Sequence, residues 1–184
     1  MKELSLNILD IAENSVKAGA TLTQILITET NETLTLTFKD DGCGMNEETV
    51  NTVTNPFYTT RTTRKVGMGL PFLKMQAELT GGDLKVHSKW QQEHPNDHGT
   101  VVEAVFYKNH LDFTPLGDVT ESICTLIQGH PDTDFLFLHK TPNEVEISLD
   151  TRELRAVLED IPLNSYEIIS WIRENLNEQY AEIN

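Results

Sequence analysis

Three sets of residues in this chain have types and spacings suited to chemistry. Asp10, Asn14 and Lys17 follow one another at intervals of four and three. On a helix turning about 100° per residue they share a polar stripe roughly 60° wide. Asp40-x-Gly42-x-Gly44 places a carboxylate beside two glycines, which tolerate positive φ and let a flat ligand approach the backbone closely. Gly67-x-Gly69-Leu70 opens an apolar helical run, where free N–H groups and the helix dipole suit a phosphate. Taken singly, the first also fits a solvated helix face, the second an ordinary turn, and the third a common helix start.

A short series of elements must position these residues. Leu4, Ile8 and Ile11 recur at helical spacing before Gly19, which predicts a helix over 4–18. Residues 23–30 and 33–39 are rich in Thr, Ile and Leu and flank Asn31-Glu32, which predicts an antiparallel hairpin. The Asp40 glycine run ends the second strand, and a short helix is expected over 46–53 with Asn46 as its cap. Residues 54–66 are polar and basic and contain Pro56, the reading of a mobile loop. The next helix carries Pro71 in its first turn and stops at Gly81-Gly82. Strands are expected over 83–88 and 100–107, around a polar loop at 89–99. Further on, Asp118-x-x-Glu121 resembles a capping box, 135–138 reads as a buried strand and 145–149 as a half-buried one. Asp150-x-x-Glu153 and Asn164-x-x-Glu167 are read as the openings of two last helices, split by Pro162.

The order of these features says more than any one of them. It resembles the ATP-binding domain of the GHKL superfamily: DNA gyrase, the heat-shock-90 chaperones, histidine kinases and mismatch-repair ATPases. Residues 9–20 are similar to its N box, and Asp40-Asp41-Gly42-Cys43-Gly44-Met45 to its first glycine box. Asn55-Pro56-Phe57-Tyr58-Thr59-Thr60-Arg61 resembles the start of the ATP lid, and Lys65-Val66-Gly67-Met68-Gly69-Leu70 the second glycine box. Gly99-Thr100 resembles the last motif. The lid segment and Lys17 look most like the histidine kinases and anti-sigma serine kinases. The resemblance implies an α+β Bergerat-type sandwich over residues 1–109, with an antiparallel or mixed sheet and helices on one face. Residues 110–184 resemble no nameable family and are expected to form a smaller, acidic α+β region.

The same resemblance implies ATP and Mg²⁺ as ligands. Asn14 corresponds to the amide that completes the metal shell, an oxygen ligand suited to a hard ion. Lys17 would touch a phosphate. Asp40 would accept a hydrogen bond from the adenine amino group, which selects against guanine, and Thr100 would help hold adenine through water. Gly42, Gly44 and Met45 belong to the wall around the ring. Gly67, Gly69 and Leu70 would offer backbone N–H groups to the phosphates, with Arg61, Arg64 and Lys65 over the γ-phosphate. Asp10 stands where many hydrolysing members carry Glu. It retains a carboxylate with one methylene less reach, able to take a proton from a nucleophile or to organise metal-bound waters. Glu13 is the fallback base, about 60° away on the helix. The implied activity is transfer of the γ-phosphate to a partner protein in trans, with Asp10 and Lys17 as catalytic residues. A nucleotide-driven switch with slow hydrolysis and no transfer is the alternative.

Other reactive residues read as bystanders. His94 and His98 have i,i+4 spacing, but a helix is not expected between Pro95 and Gly99, which disfavours a metal pair. Cys43 reads as a space-filler. His139-Lys140-Thr141-Pro142 is faintly similar to a phosphoacceptor box but falls on a predicted strand and turn, and is discounted.

Composition narrows the classes. The 184 residues are 38% hydrophobic and 23% charged, as in a soluble globular chain. A net charge of -15 gives no global attraction for nucleic acid or anionic lipid. Residues 111–184 hold 15 acids against 4 bases, whereas 54–65 hold three bases and no acid. That basic loop is where an anion would be met, and the acidic region would suit a basic protein partner. The absence of a long apolar run, of a signal peptide and of a cysteine pattern makes a reducing cytoplasm the expected location.

Overall fold

The computed structural model describes residues 3–54 and 68–183. The first helix, α1, spans Leu4–Lys17 and buries Leu4, Ile8, Ile11 and Ala12 along one stripe. Its polar stripe is left to the other side, as the spacing of Asp10, Asn14 and Lys17 requires. The chain turns through Gly19 at φ 76 and enters β1 (Leu22–Glu29), which pairs antiparallel with β2 (Thr33–Asp40). Both strands alternate buried and half-buried residues, so one face of the hairpin meets the helices.

Helix α2 (Glu47–Val53) is capped as expected: the Asn46 side chain accepts from the Thr49 N–H. Helix α3 (Gly69–Leu79) lies under β3 (Asp83–Lys89) and β4 (Gly99–Tyr107), which form the second antiparallel pair. Strand β4 also pairs with β2, so that Asp40 and Thr100 are register partners. That pairing carries the first glycine box to the start of the last motif.

The chain after Tyr107 continues the same sheet. Helix α4 (Val119–Gly129) opens on Asp118, whose carboxylate accepts from the Glu121 N–H. Strand β5 (Asp134–Lys140) then pairs parallel to β1, with Leu138 beside Leu26. Strand β6 (Glu146–Asp150) pairs antiparallel with β5. The sheet is six-stranded and mixed, in the order β3-β4-β2-β1-β5-β6. Helix α5 (Thr151–Leu158) and the long α6 (Tyr166–Ala181) complete the chain.

Buried residues of α1, α3, α4 and α6 and the inward alternates of all six strands belong to one core cluster. The boundary drawn at residue 109 from the sequence therefore coincides with no break in sheet or core. Residues 135–138 are not buried throughout: Phe135 and Phe137 face the core, while Leu136 and Leu138 are half-buried on the opposite face of the sheet. An unbroken apolar run hides such alternation. Ser165, not Asn164, precedes α6 as its cap residue, without a side-chain cap bond.

Candidate functional site

One end of the site is built where β2 stops. Asp40 ends the strand and is held from three sides: Ser15 Oγ donates to Oδ2 at 2.7 Å, and the Gly42 and Thr100 N–H groups donate to Oδ1 at 3.0 and 3.2 Å. A carboxylate has about four acceptor positions, so one remains for a further donor. Gly42 lies against Ala18, where an added Cβ would stand 2.9 Å from the alanine Cβ. Gly44 has φ 64, and a Cβ there would run into the Lys89 carbonyl. These two positions need glycine for close approach and for left-handed backbone. The Met45 N–H donates to Ser88 Oγ at 2.8 Å, and Ser88 Oγ lies 2.9 Å from Thr100 Oγ1.

The loop between β3 and β4 straps this box down. The Gln91 N–H donates to the Cys43 carbonyl at 2.9 Å. His98 Nδ1 donates to the Gly42 carbonyl at 2.6 Å, which fixes the neutral ring as the Nδ1–H tautomer. Its i,i+4 partner His94 is exposed, and no group of three metal-ligating residues occurs among the described residues. Asp41 anchors the neighbouring turn through the Thr21 and Leu22 N–H groups at 2.7 and 2.9 Å and the Thr21 hydroxyl. Burial opposes its ionisation, but those hydrogen bonds prevail and hold its carboxyl below the usual range.

The other end is a cleft of about 360 Å³ lined by Leu9, Asp10, Glu13, Asn14, Lys17, Met68, Gly69 and Thr125. The N-terminus of α3 abuts the polar stripe of α1 here. A Cβ on Gly69 would stand 3.4 Å from Asp10 Cβ and 3.9 Å from Asn14 Nδ2. A Cβ at this position would thus be in van der Waals contact with the stripe. Leu70 turns its side chain into the core and can offer only backbone. Asp10 is exposed and has no hydrogen-bond or ion-pair partner among the described residues. Glu13 is engaged twice, by Lys17 Nζ at 3.6 Å and by His130 Nε2 at 2.6 Å. Arg61, Arg64, Lys65 and Gly67 lie outside the described residues.

The stripe of α1 thus serves both ends, since Ser15 follows Asn14 directly. Residues 2–110 match the family described as histidine kinase-, DNA gyrase B- and HSP90-like ATPase. The chain belongs to that family. Its fold is that of a GHKL ATP-binding domain. The chain is 32% identical over 101 residues to the sensor histidine kinase YvrG of Bacillus subtilis, covering 52% of this chain but only 16% of that protein. The MutL ATPase domain of Aquifex aeolicus, solved as a complex with ADP, superposes with a TM-score of 0.53 at 16% identity. It covers 86% of this chain and 70% of that one. The N-terminal domain of a DNA repair protein gives a TM-score of 0.54 at 15% identity, over 95% of this chain and 56% of that one. Both superpositions reach well beyond residue 110, so the shared fold includes part of the acidic region.

Two groups of this GHKL domain were missed from sequence. Ser15 and Ser88 are the hydroxyls that lock Asp40 and Thr100 in place; adjacency to Asn14 was the only signal for the first. Thr125 and His130 come from the segment with no family match, and nothing local marks them. His139, in contrast, is 3% exposed and held between Tyr180 and Glu29.

Proposed function

We propose that this chain binds Mg-ATP and transfers its γ-phosphate to a partner protein. The carrying observation is the meeting of Asp10, Asn14 and the α3 N-terminus in one cleft, with the partly satisfied Asp40 at the adenine end. The donor set fits the groups. Asn14 offers an amide oxygen to a hard divalent ion beside the carboxylate of Asp10. The N-terminal N–H groups of α3 suit phosphate oxygens. The remaining acceptor position of Asp40 suits an exocyclic amino group and repels a carbonyl.

In this reading a metal held by Asn14 would neutralise phosphate charge, and the chain supplies position and a proton acceptor. Asp10 takes the proton of the incoming nucleophile, which its exposed carboxylate, without a partner among the described residues, permits. Lys17 balances phosphate charge at the cleft rim. Similarity to a sensor histidine kinase over the family segment supports transfer over hydrolysis.

A second reading has its own support. The acidic region shares the sheet, and Thr125 of α4 lines the cleft. Nucleotide occupancy would then shift α4 and change what protein surface is presented, with no transfer. Labelled ATP incubated with the full chain and candidate basic partners separates the two. Label on the partner supports the kinase. Nucleotide-dependent capture without label supports the switch, and neither result with ATP present excludes both.

A further inference from the structure

The fallback carboxylate of the cleft is not free, and what holds it comes from outside the family segment. Glu13 lines the same cleft as Asp10, Asn14 and Gly69. Its Oε1 accepts from His130 Nε2 at 2.6 Å, and its Oε2 faces Lys17 Nζ at 3.6 Å. His130 caps the C-terminal end of α4, and its own N–H is held by the Leu126 carbonyl at 3.0 Å. Helix α4 runs parallel to α1, since Ser122 Oγ donates to the Ser5 carbonyl and His130 meets Glu13, eight residues on in each helix. Both side chains are about three-quarters buried, at 25% and 30% exposure. This placement is therefore set by helix packing and not by a chance surface encounter. Asp10, one turn back, has no such restraint among the described residues.

We propose that His130 is a positioning residue that keeps Glu13 from activating water, so that ATP in the cleft is kept for transfer through Asp10. This rests on the reading of the cleft as the phosphate end of an ATP site. The suppressed step is hydrolysis. A water oxygen bonds to the γ-phosphorus, the bond from that phosphorus to the β–γ bridging oxygen breaks, ADP leaves, and the water proton passes to Glu13. The His130 bond fixes the direction of Oε1 and Lys17 faces Oε2, so the open acceptor positions of Glu13 point where helix packing sets them and cannot turn to follow an attacking water while His130 holds. In the favoured step a partner's hydroxyl or imidazole forms the bond to the γ-phosphorus, ADP leaves in the same way, and the nucleophile's proton passes to Asp10. One carboxylate is thus tied and one left open, and the tie is made from outside the segment that the family match covers.

The test uses the full chain with Mg-ATP. His130→Ala is expected to raise phosphate release without partner at least fivefold, with ATP affinity by calorimetry within about twofold. His130→Gln keeps an N–H donor near the same place and is expected to restore the low rate. Adding Glu13→Gln to His130→Ala is expected to abolish the increase. A merely structural histidine would move stability in both single variants and leave the ratio of hydrolysis to ATP affinity unchanged. Unchanged or lower hydrolysis in His130→Ala with ATP still bound overturns the proposal alone. An increase that survives Glu13→Gln overturns it too. If the wild type does not bind ATP, the reading of the cleft and this proposal fall together.

Discussion

At the residue scale the site depends on a few groups whose freedom has been removed. Asp40 is oriented by a serine hydroxyl and two N–H groups, which leaves one acceptor position for a further donor. Asp40→Ala is expected to weaken ATP binding by roughly ten- to a hundredfold, the loss of a hydrogen bond to a charged acceptor of about 1.5–3 kcal/mol. Ser15→Ala, which frees the carboxylate without removing it, should cost about fivefold, near 1 kcal/mol. Calorimetry with ATP reads both; equal affinity in Asp40→Ala and wild type would remove the adenine assignment. Gly44→Ala tests shape instead of charge. With φ 64 and the Lys89 carbonyl in the way of a Cβ, this variant is expected to lose ATP binding and several degrees of melting temperature together.

At the element scale the molecule is tied together by polar groups at strand ends. Glu29 at the end of β1 contacts His139 of β5 at 3.1 Å and Lys108 after β4 at 2.5 Å. Tyr180 of α6 bonds the other nitrogen of His139 at 2.9 Å. The His139 hydrogen bond, against burial and with help from Lys108, holds the Glu29 carboxyl down from its ordinary 4.5 to about 2. Burial raises the Tyr180 hydroxyl, so it stays protonated. Because the folded value of Glu29 lies below the unfolded one, the stabilisation is complete above about pH 4.5 and is lost as pH falls toward about 2. Glu29→Gln should therefore flatten the acid limb of the stability curve in that window, and an unchanged acid limb, followed by circular dichroism, would contradict it. Helix α4 is tied by packing. Ile123 is fully buried between helices and sheet, and Ile123→Ala should cost about 2–5 kcal/mol in denaturant unfolding.

At the scale of the whole molecule, the family segment and the acidic region are one folding unit in physical terms. Strand β5 covers the edge of β1, and α4 and α6 cover core that the first half would leave open. A chain ending at Asn109 would leave the β1 edge unpaired and lose the α4, β5, β6 and α6 residues of the shared core. It is expected to aggregate or melt without a cooperative transition, where the full chain unfolds in one step. A truncated chain with a cooperative melt and wild-type ATP affinity would show that the first half stands alone. The acidic surface outside that core remains free to meet a basic partner, at rates that fall with salt.

Some of this was determined by the sequence alone. The stripe Asp10–Asn14–Lys17, the Asp40 glycine box, Gly69 at a helix start and Thr100 on a strand are all local patterns, and local periodicity and turn chemistry decide where such residues point. The element types and most of their ends were legible for the same reason, down to the Asn46 and Asp118 caps. Asn164 shows the limit, since a capping pattern competes with a neighbouring serine that only the backbone path selects. What tertiary structure decided is every relation between distant segments. The bond between Glu13 and His130 joins residues 117 apart, and the parallel pairing of β1 with β5 joins strands separated by most of the chain. Neither leaves a local trace, because a side chain's partner across the core is set by how whole helices and strands pack. Only that packing turns the acidic region into a wall of the cleft.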